Sequence, residues 1–155
     1  MAELKRQVIE LQERHRRMIS FFLEKELFGF EIKYISRVID PEKMGFVPRA
    51  PFFMRGVISH RGKVIAVIDL SQFLGMPKKE ISLETKIIIL DSQEFYLGFL
   101  VDRVERIETV PLSGDTVREP SADNPYILKV VNLGGRIFNV INLDKVLEEI
   151  EGYFG

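Results

Sequence analysis

The chain carries one pattern twice. At a shift of 73 residues Val57-Ile58 falls on Val130-Val131, Gly62 on Gly135 and Lys63 on Arg136. At the same shift Val67-Ile68 falls on Val140-Ile141, Asp69 on Asn142 and Leu70 on Leu143. An earlier stretch repeats at a shift of 69: Gly29-Phe30, Ile32, Ile35 and Val38 fall on Gly98-Phe99, Val101, Val104 and Ile107. Two copies are too few for a solenoid. The repeated residues are β-branched, aromatic and glycine, so the pattern predicts a duplicated β unit, two small barrels in one chain.

The clearest copy runs from Pro48 to Gly75. Pro48 and Pro51 fix their own φ and push the preceding residue toward an extended conformation. Val57-Ile58 and Val64 to Ile68 flank the polar turn Ser59-His60-Arg61-Gly62-Lys63, which reads as a hairpin. Asp69 then caps a helical turn from Leu70 to Leu74, and Gly75 ends it.

Residues 1–18 differ from the rest. Leu4, Val8, Leu11, His15 and Met18 recur at spacings of 4, 3, 4 and 3, one face of a helix. Glu10–Arg14 and Glu13–Arg17 are helix pairs in the better orientation. Five Lys/Arg stand against three Asp/Glu here, so the segment is cationic. Two heptads are too short for a coiled coil. The seam needs cover, either from the chain's own barrel or as an arm offered to a partner or a second copy, which would be self-association through this helix.

From Ile19 the period becomes 2. Ile19, Phe21 and Leu23, the turn Glu24-Lys25-Glu26, then Leu27 to Ile32 predict a hairpin. Lys33 to Ile39 reads as a brief helical turn or bent strand, and 40–51 as a loop. After a polar crossover from Pro77 to Glu84, Lys86 to Leu90 and Phe95 to Val101 predict a hairpin turning at Asp91-Ser92-Gln93-Glu94. Arg103 to Thr109 reads as another strand or bent segment. Residues 111–125 form the longest irregular stretch, at the place 40–51 holds in the first copy. Asn142 caps a closing helix, Leu143 to Ile150, ended by Gly152. The expected division is 1–18 as a helix and 19–155 as one domain with halves of about 19–82 and 83–151.

Composition narrows the chemistry. The 155 residues are 46% hydrophobic, enough for a core, and 12 Phe supply bulk where Trp is absent. There is no cysteine, which removes disulfides and thiolate sites and fits a reducing compartment. Net charge is −1, which gives no electrostatic case for nucleic acid. No apolar run reaches the ~18 residues needed to span a membrane, and the charged N-terminus does not read as a secretory signal.

A catalytic site needs a nucleophile, base or metal in mutual reach. His15 and His60 are the two histidines, one expected on the terminal helix and one in a turn. Ser59, His60 and Asp69 do not make a triad, since adjacent strand residues point to opposite faces. Gly56 to Lys63 resembles a phosphate loop only loosely. Five residues separate its glycines, Val64 follows the lysine, and no helix N-terminus is expected there. No catalytic residue, metal or cofactor is expected.

Pro48-Arg49-Ala50-Pro51, Gly56-Val57-Ile58, Arg61-Gly62 and Val67-Ile68-Asp69-Leu70, in this order and spacing, resemble the signature of the CheW family of chemotaxis coupling proteins. Phe28-Gly29 through Val38 and Gly98 through Ile107 resemble their counterparts there, so the likeness covers about residues 19–151. It implies a mainly β fold of two intertwined SH3-like five-stranded barrels with short helices, here with an extra N-terminal helix. It also implies a non-enzymatic, cytoplasmic adaptor at membrane-associated receptor arrays, joining chemoreceptor cytoplasmic tips to the regulatory domain of the histidine kinase CheA. Two positions depart from the family: His60 stands where Leu is usual, and Arg37 where an acid is frequent. The partner-binding residues so implied are Ile35, Arg37, Gly56, His60 and Arg61. Arg61 would pair with a carboxylate through its rigid fork, with Ile35 as the apolar contact. The alternatives are an adaptor of a related non-flagellar pathway and a small-ligand-binding β-barrel, which would need polar groups converging on a pocket.

Overall fold

The computed structural model of the chain describes residues 1–91 and 96–154, with the side chains of 11–13 outside that description. The chain forms two compact units. One comprises Met1–Ser20, Glu26–Ile32 and the chain from Arg106 on; the other comprises Phe21–Lys25 and Lys33–Glu105.

In the second unit the repeated hairpin is β4 (Met54–His60) and β5 (Lys63–Asp69). β3 (Ile35–Ile39) follows a 3-10 turn at Ile32–Tyr34, so the segment read as a helical turn or bent strand is both. β6 (Lys86–Leu90) and β7 (Leu97–Val101) complete a five-stranded sheet in the order β3-β6-β7-β5-β4. Ile58, Ile65, Val67, Ile87, Ile89 and Leu100 close its core, with Ile39 and Met44 packed against them. α2 (Leu70–Phe73) begins as expected: the Asp69 carboxylate accepts from the Gln72 N–H at 3.2 Å. Of the expected turn at 91–94, only Asp91 lies within the described residues.

The six-stranded sheet runs β8-β1-β2-β11-β10-β9. Its strands are β1 (His15–Leu23), β2 (Glu26–Glu31), β8 (Arg103–Pro111), β9 (Val117–Arg118), β10 (Ile127–Leu133) and β11 (Arg136–Ile141). β10 and β11 are the second copy of the central hairpin. α3 (Leu143–Phe154) is capped by Asn142, whose side-chain oxygen accepts from the Lys145 N–H at 3.2 Å.

The parallel pairings join one copy to the other. Gly29 of β2 lies opposite Val140 of β11, and Gly98 of β7 lies opposite Val67 of β5. Gly98 is the repeat of Gly29, and Val140 is the repeat of Val67. Each sheet thus takes a hairpin from one copy and a parallel strand from the other. The halves 19–82 and 83–151 are divisions of the sequence; the compact units follow the exchange instead. Both glycines are demanded by crowding. A Cβ on Gly29 would lie 2.4 Å from the Ile19 carbonyl oxygen and from Phe138 Cζ, and one on Gly98 would lie 2.6 Å from Ile87 Cγ2. Among the described residues neither strand order returns on itself, so the observed form is two sheets.

Two expected boundaries move. The N-terminal helix, expected over 1–18, is α1 (Ala2–Arg14), and His15 already opens β1. Met18, Ile19, Ser20 and Phe21 are buried in that strand, and burial there outweighs a helical spacing carried by a few residues. At the other end α3 runs past Gly152 to Phe154. One glycine in a last helical turn costs only about 1 kcal/mol, so it need not stop the helix.

Candidate partner-binding site

The turn of the central hairpin is Arg61-Gly62. Both residues have positive φ, 52° and 78°. Two left-handed residues in a two-residue loop match the twist of the flanking strands. The second copy makes the same turn with Gly134 (φ 60°) and Gly135 (φ 95°). There the Asn132 side-chain oxygen accepts from the Gly135 N–H at 2.7 Å. Arginine therefore holds a backbone conformation that its counterpart fills with glycine, at a steric cost of roughly 1–2 kcal/mol. The Arg61 side chain is exposed and makes no hydrogen bond or ion pair among the described residues.

Arg61, His60 and Arg37 share one cleft of about 190 Å³, together with Lys63, Asp91 and Tyr96, over a floor that includes Ile65 and Ile89. Arg37 is on β3 and His60 on β4, the two ends of the five-stranded sheet, so that sheet curls until both ends face one opening. Lys63 Nζ sits 4.9 Å above the Tyr96 ring. His60 Nδ1 is 3.9 Å from the Glu42 carboxylate. Among the described residues the lining holds Arg37, Arg61 and Lys63 and one carboxylate, Asp91. Such a rim suits a partner's carboxylate group.

The other two expected residues lie apart from this opening. Ile35 is half-buried, opposite Leu90 at the start of β3, and does not line the cleft. Gly56 is buried at the bulge of β4, where a Cβ would meet the Gly45 carbonyl oxygen at 2.6 Å, and it lines a different cleft. Its glycine is accounted for by that close approach. Lys63 and Tyr96 also line the cleft, and the sequence reading does not single them out. Lys63 had a signal, its repeat as Arg136; Tyr96 had none, because only the chain's return past β6 places it there.

Asp69 is fully occupied. Its carboxylate takes the Arg55 guanidinium at 2.8 Å and caps α2, with side-chain exposures of 7% for Asp69 and 14% for Arg55. Among the described residues no group of three or more His, Asp or Glu could hold a metal ion. No helix is long and apolar enough to cross a membrane.

These features define a mainly β protein of two sheets, each assembled from both copies of one repeat, with a cationic cleft at a hairpin tip. The chain belongs to the CheW-like domain family, whose profile matches residues 17–151. It is 28% identical over 136 residues to chemotaxis protein CheW of Thermotoga maritima, covering 86% of this chain and 88% of that protein. It is 30% identical over 139 residues to protein FrzA of Myxococcus xanthus, covering 81% and 86%. Among solved structures it resembles the scaffolding protein TtCheW from Thermoanaerobacter tengcongensis, with TM-score 0.72 at 26% identity over 82% of this chain and 88% of that one.

Proposed function

We propose that this chain is a non-enzymatic adaptor of chemotaxis signalling, holding the cytoplasmic tip of a chemoreceptor and the regulatory domain of the histidine kinase CheA in one cytoplasmic complex at receptor arrays. Family membership and the names of the relatives support the pathway. The observation that carries the contact is Arg61: an exposed guanidinium, without an ion pair among the described residues, kept in a left-handed turn that its counterpart, Gly134, makes without strain. Strain retained at one copy of a repeat points to a role outside the fold.

In this reading Arg61 and Arg37 take a partner's carboxylates, His60 and Lys63 extend the rim, and Ile35, outside the cleft at the start of β3, gives a separate apolar contact. Gly56 shapes β4 behind them. Exchange of parallel strands and the curl of the five-stranded sheet support two intertwined SH3-like barrels. α1 is an additional arm for self-association, because Leu4 and Val8 on its face are 59% and 45% exposed.

The test is binding of purified receptor-tip and kinase regulatory-domain fragments to the full chain. Arg61→Ala should weaken binding to at least one of them by about 1–3 kcal/mol with the melting curve unchanged. Absence of binding to both fragments by the unaltered chain would reject the adaptor reading. Binding to both that is indifferent to Arg61→Ala would keep the adaptor and remove Arg61 from its contact.

A further inference from the structure

A second cleft, of about 440 Å³, opens beside β4 and shares no lining residue with the one at Arg61. Phe46 and Phe52 stand in it at 87% and 66% exposure. Two large apolar rings lining one cleft offer a contact surface that single scattered apolar residues do not. Arg49, Arg55 and Lys78 also line the cleft, and among the described residues no carboxylate does. Arg55 is committed to Asp69 at 2.8 Å and to the Lys79 carbonyl at 3.2 Å. Arg49 and Lys78 have no hydrogen bond or ion pair among the described residues.

Three further observations point the same way. Arg49 has φ 59°, a left-handed backbone at a non-glycine residue. Pro48 and Pro51 bracket it and stiffen the rim, which lowers the ordering cost of any occupant. Finally, β4 is the last strand of its sheet, and among the described residues its outer side carries only the bridge from Gly45 to Val57. An extended chain can lie along such an edge.

We infer that this cleft docks an extended peptide segment of a partner protein, one with a carboxylate next to a large apolar side chain. The carboxylate meets Arg49 and Lys78. The apolar side chain covers Phe46 and Phe52. A free inorganic anion would leave both rings in water, so the aromatic pair favours a peptide. The inference does not depend on the adaptor reading, because none of these residues belongs to the Arg61 contact.

The experiment pans a random heptapeptide phage library against the full chain, then measures recovered peptides by fluorescence polarisation. The expected consensus places Asp or Glu within two positions of Leu, Ile, Met or Phe. Affinity should fall about tenfold or more for Arg49→Glu and for Lys78→Glu, fall with added salt, and stay unchanged for Arg61→Ala. Phe46→Ala removes an exposed ring without backbone strain and should also weaken binding, which keeps the test decisive if Arg49→Glu folds poorly. No enrichment, an acid-free consensus, or affinities indifferent to Lys78→Glu and Phe46→Ala would overturn the inference. So would cosedimentation with phosphatidylserine vesicles that is lost in Lys78→Glu while no peptide binds; that result would assign the cleft to an anionic lipid surface.

Discussion

Arg61 and Gly134 occupy the same turn position in the two copies, and both are left-handed, with φ of 52° and 60°. Relief of that conformation separates stability from binding. Arg61→Gly should keep or raise stability, by up to about 1 kcal/mol, because glycine carries no Cβ penalty there. It should at the same time weaken receptor or kinase binding as Arg61→Ala does. A urea midpoint and a titration on the same protein check both; a fall in stability would show that the Arg61 side chain supports the fold.

Glycines at crowded and at open positions should respond differently. Gly29→Ala drives a methyl to 2.4 Å from the Ile19 carbonyl, which is backbone and cannot step aside. A cost of about 3 kcal/mol or more is expected. Gly62, with φ 78° and nothing near its missing Cβ, should lose only about 1 kcal/mol on replacement by alanine. Equal urea midpoints for the two variants would contradict the close approach at Gly29.

Asp69 and Asn142 are repeats of each other and both cap helices, but only Asp69 also holds an arginine. Asp69→Ala strips a shielded guanidinium of its partner and should cost about 3–5 kcal/mol. Asn142→Ala loses a cap alone, about 1 kcal/mol. Thermal melts of the two variants should therefore differ clearly, with Asp69→Ala much the lower.

Tyr126 donates its hydroxyl proton to Glu149. Burial, then that hydrogen bond and the charge of the carboxylate, push its ionisation from 10.0 up to about 12. A raised folded-state value contributes stability that is complete below about 10 and is lost as pH rises through about 12. Tyr126→Phe should thus flatten the alkaline limb of the stability–pH curve, and lower stability near neutrality by about 1 kcal/mol through the lost bond. Denaturant midpoints from neutral to strongly alkaline pH measure this; an unchanged limb would show that Tyr126 does not govern it.

Deletion of residues 2–14 removes α1 and leaves β1 whole. Residues 2–10 are all exposed, so the melting temperature should stay within a degree or two of the full chain's. Light scattering should show a lower mass at high concentration if the Leu4–Val8 face pairs with a second copy. An unchanged mass would reject self-association through this helix. A deletion carried to residue 17 is a different experiment, because it cuts the first residues of β1.

Much of the local structure was legible. The hairpin at Arg61-Gly62, the caps at Asp69 and Asn142 and the turn at Glu24-Lys25 depend on neighbours a few residues away, which a sequence displays directly. The helix ends were less so. His15 to Met18 kept helical spacing, yet the buried strand claimed them, since strand pairing and burial at Met18 are supplied by distant residues. The expected site divided the same way: Arg37, His60 and Arg61 come together, whereas Gly56 lies in a second cleft, and Lys63 and Tyr96 join the first without having been singled out.

The sequence by itself determined the duplication, the β character of each copy and the glycines at 29 and 98, because these are set by residue type and spacing along the chain. Only the tertiary structure decided that β2 pairs with β11 and β7 with β5, exchanging strands between copies. The two copies are chemically alike, so side-chain pattern alone does not choose between pairing within a copy and pairing across copies. That choice follows from where the connections can reach and which ring fills the space over Gly29. The same long-range packing curls the sheet and brings Arg37 to Arg61.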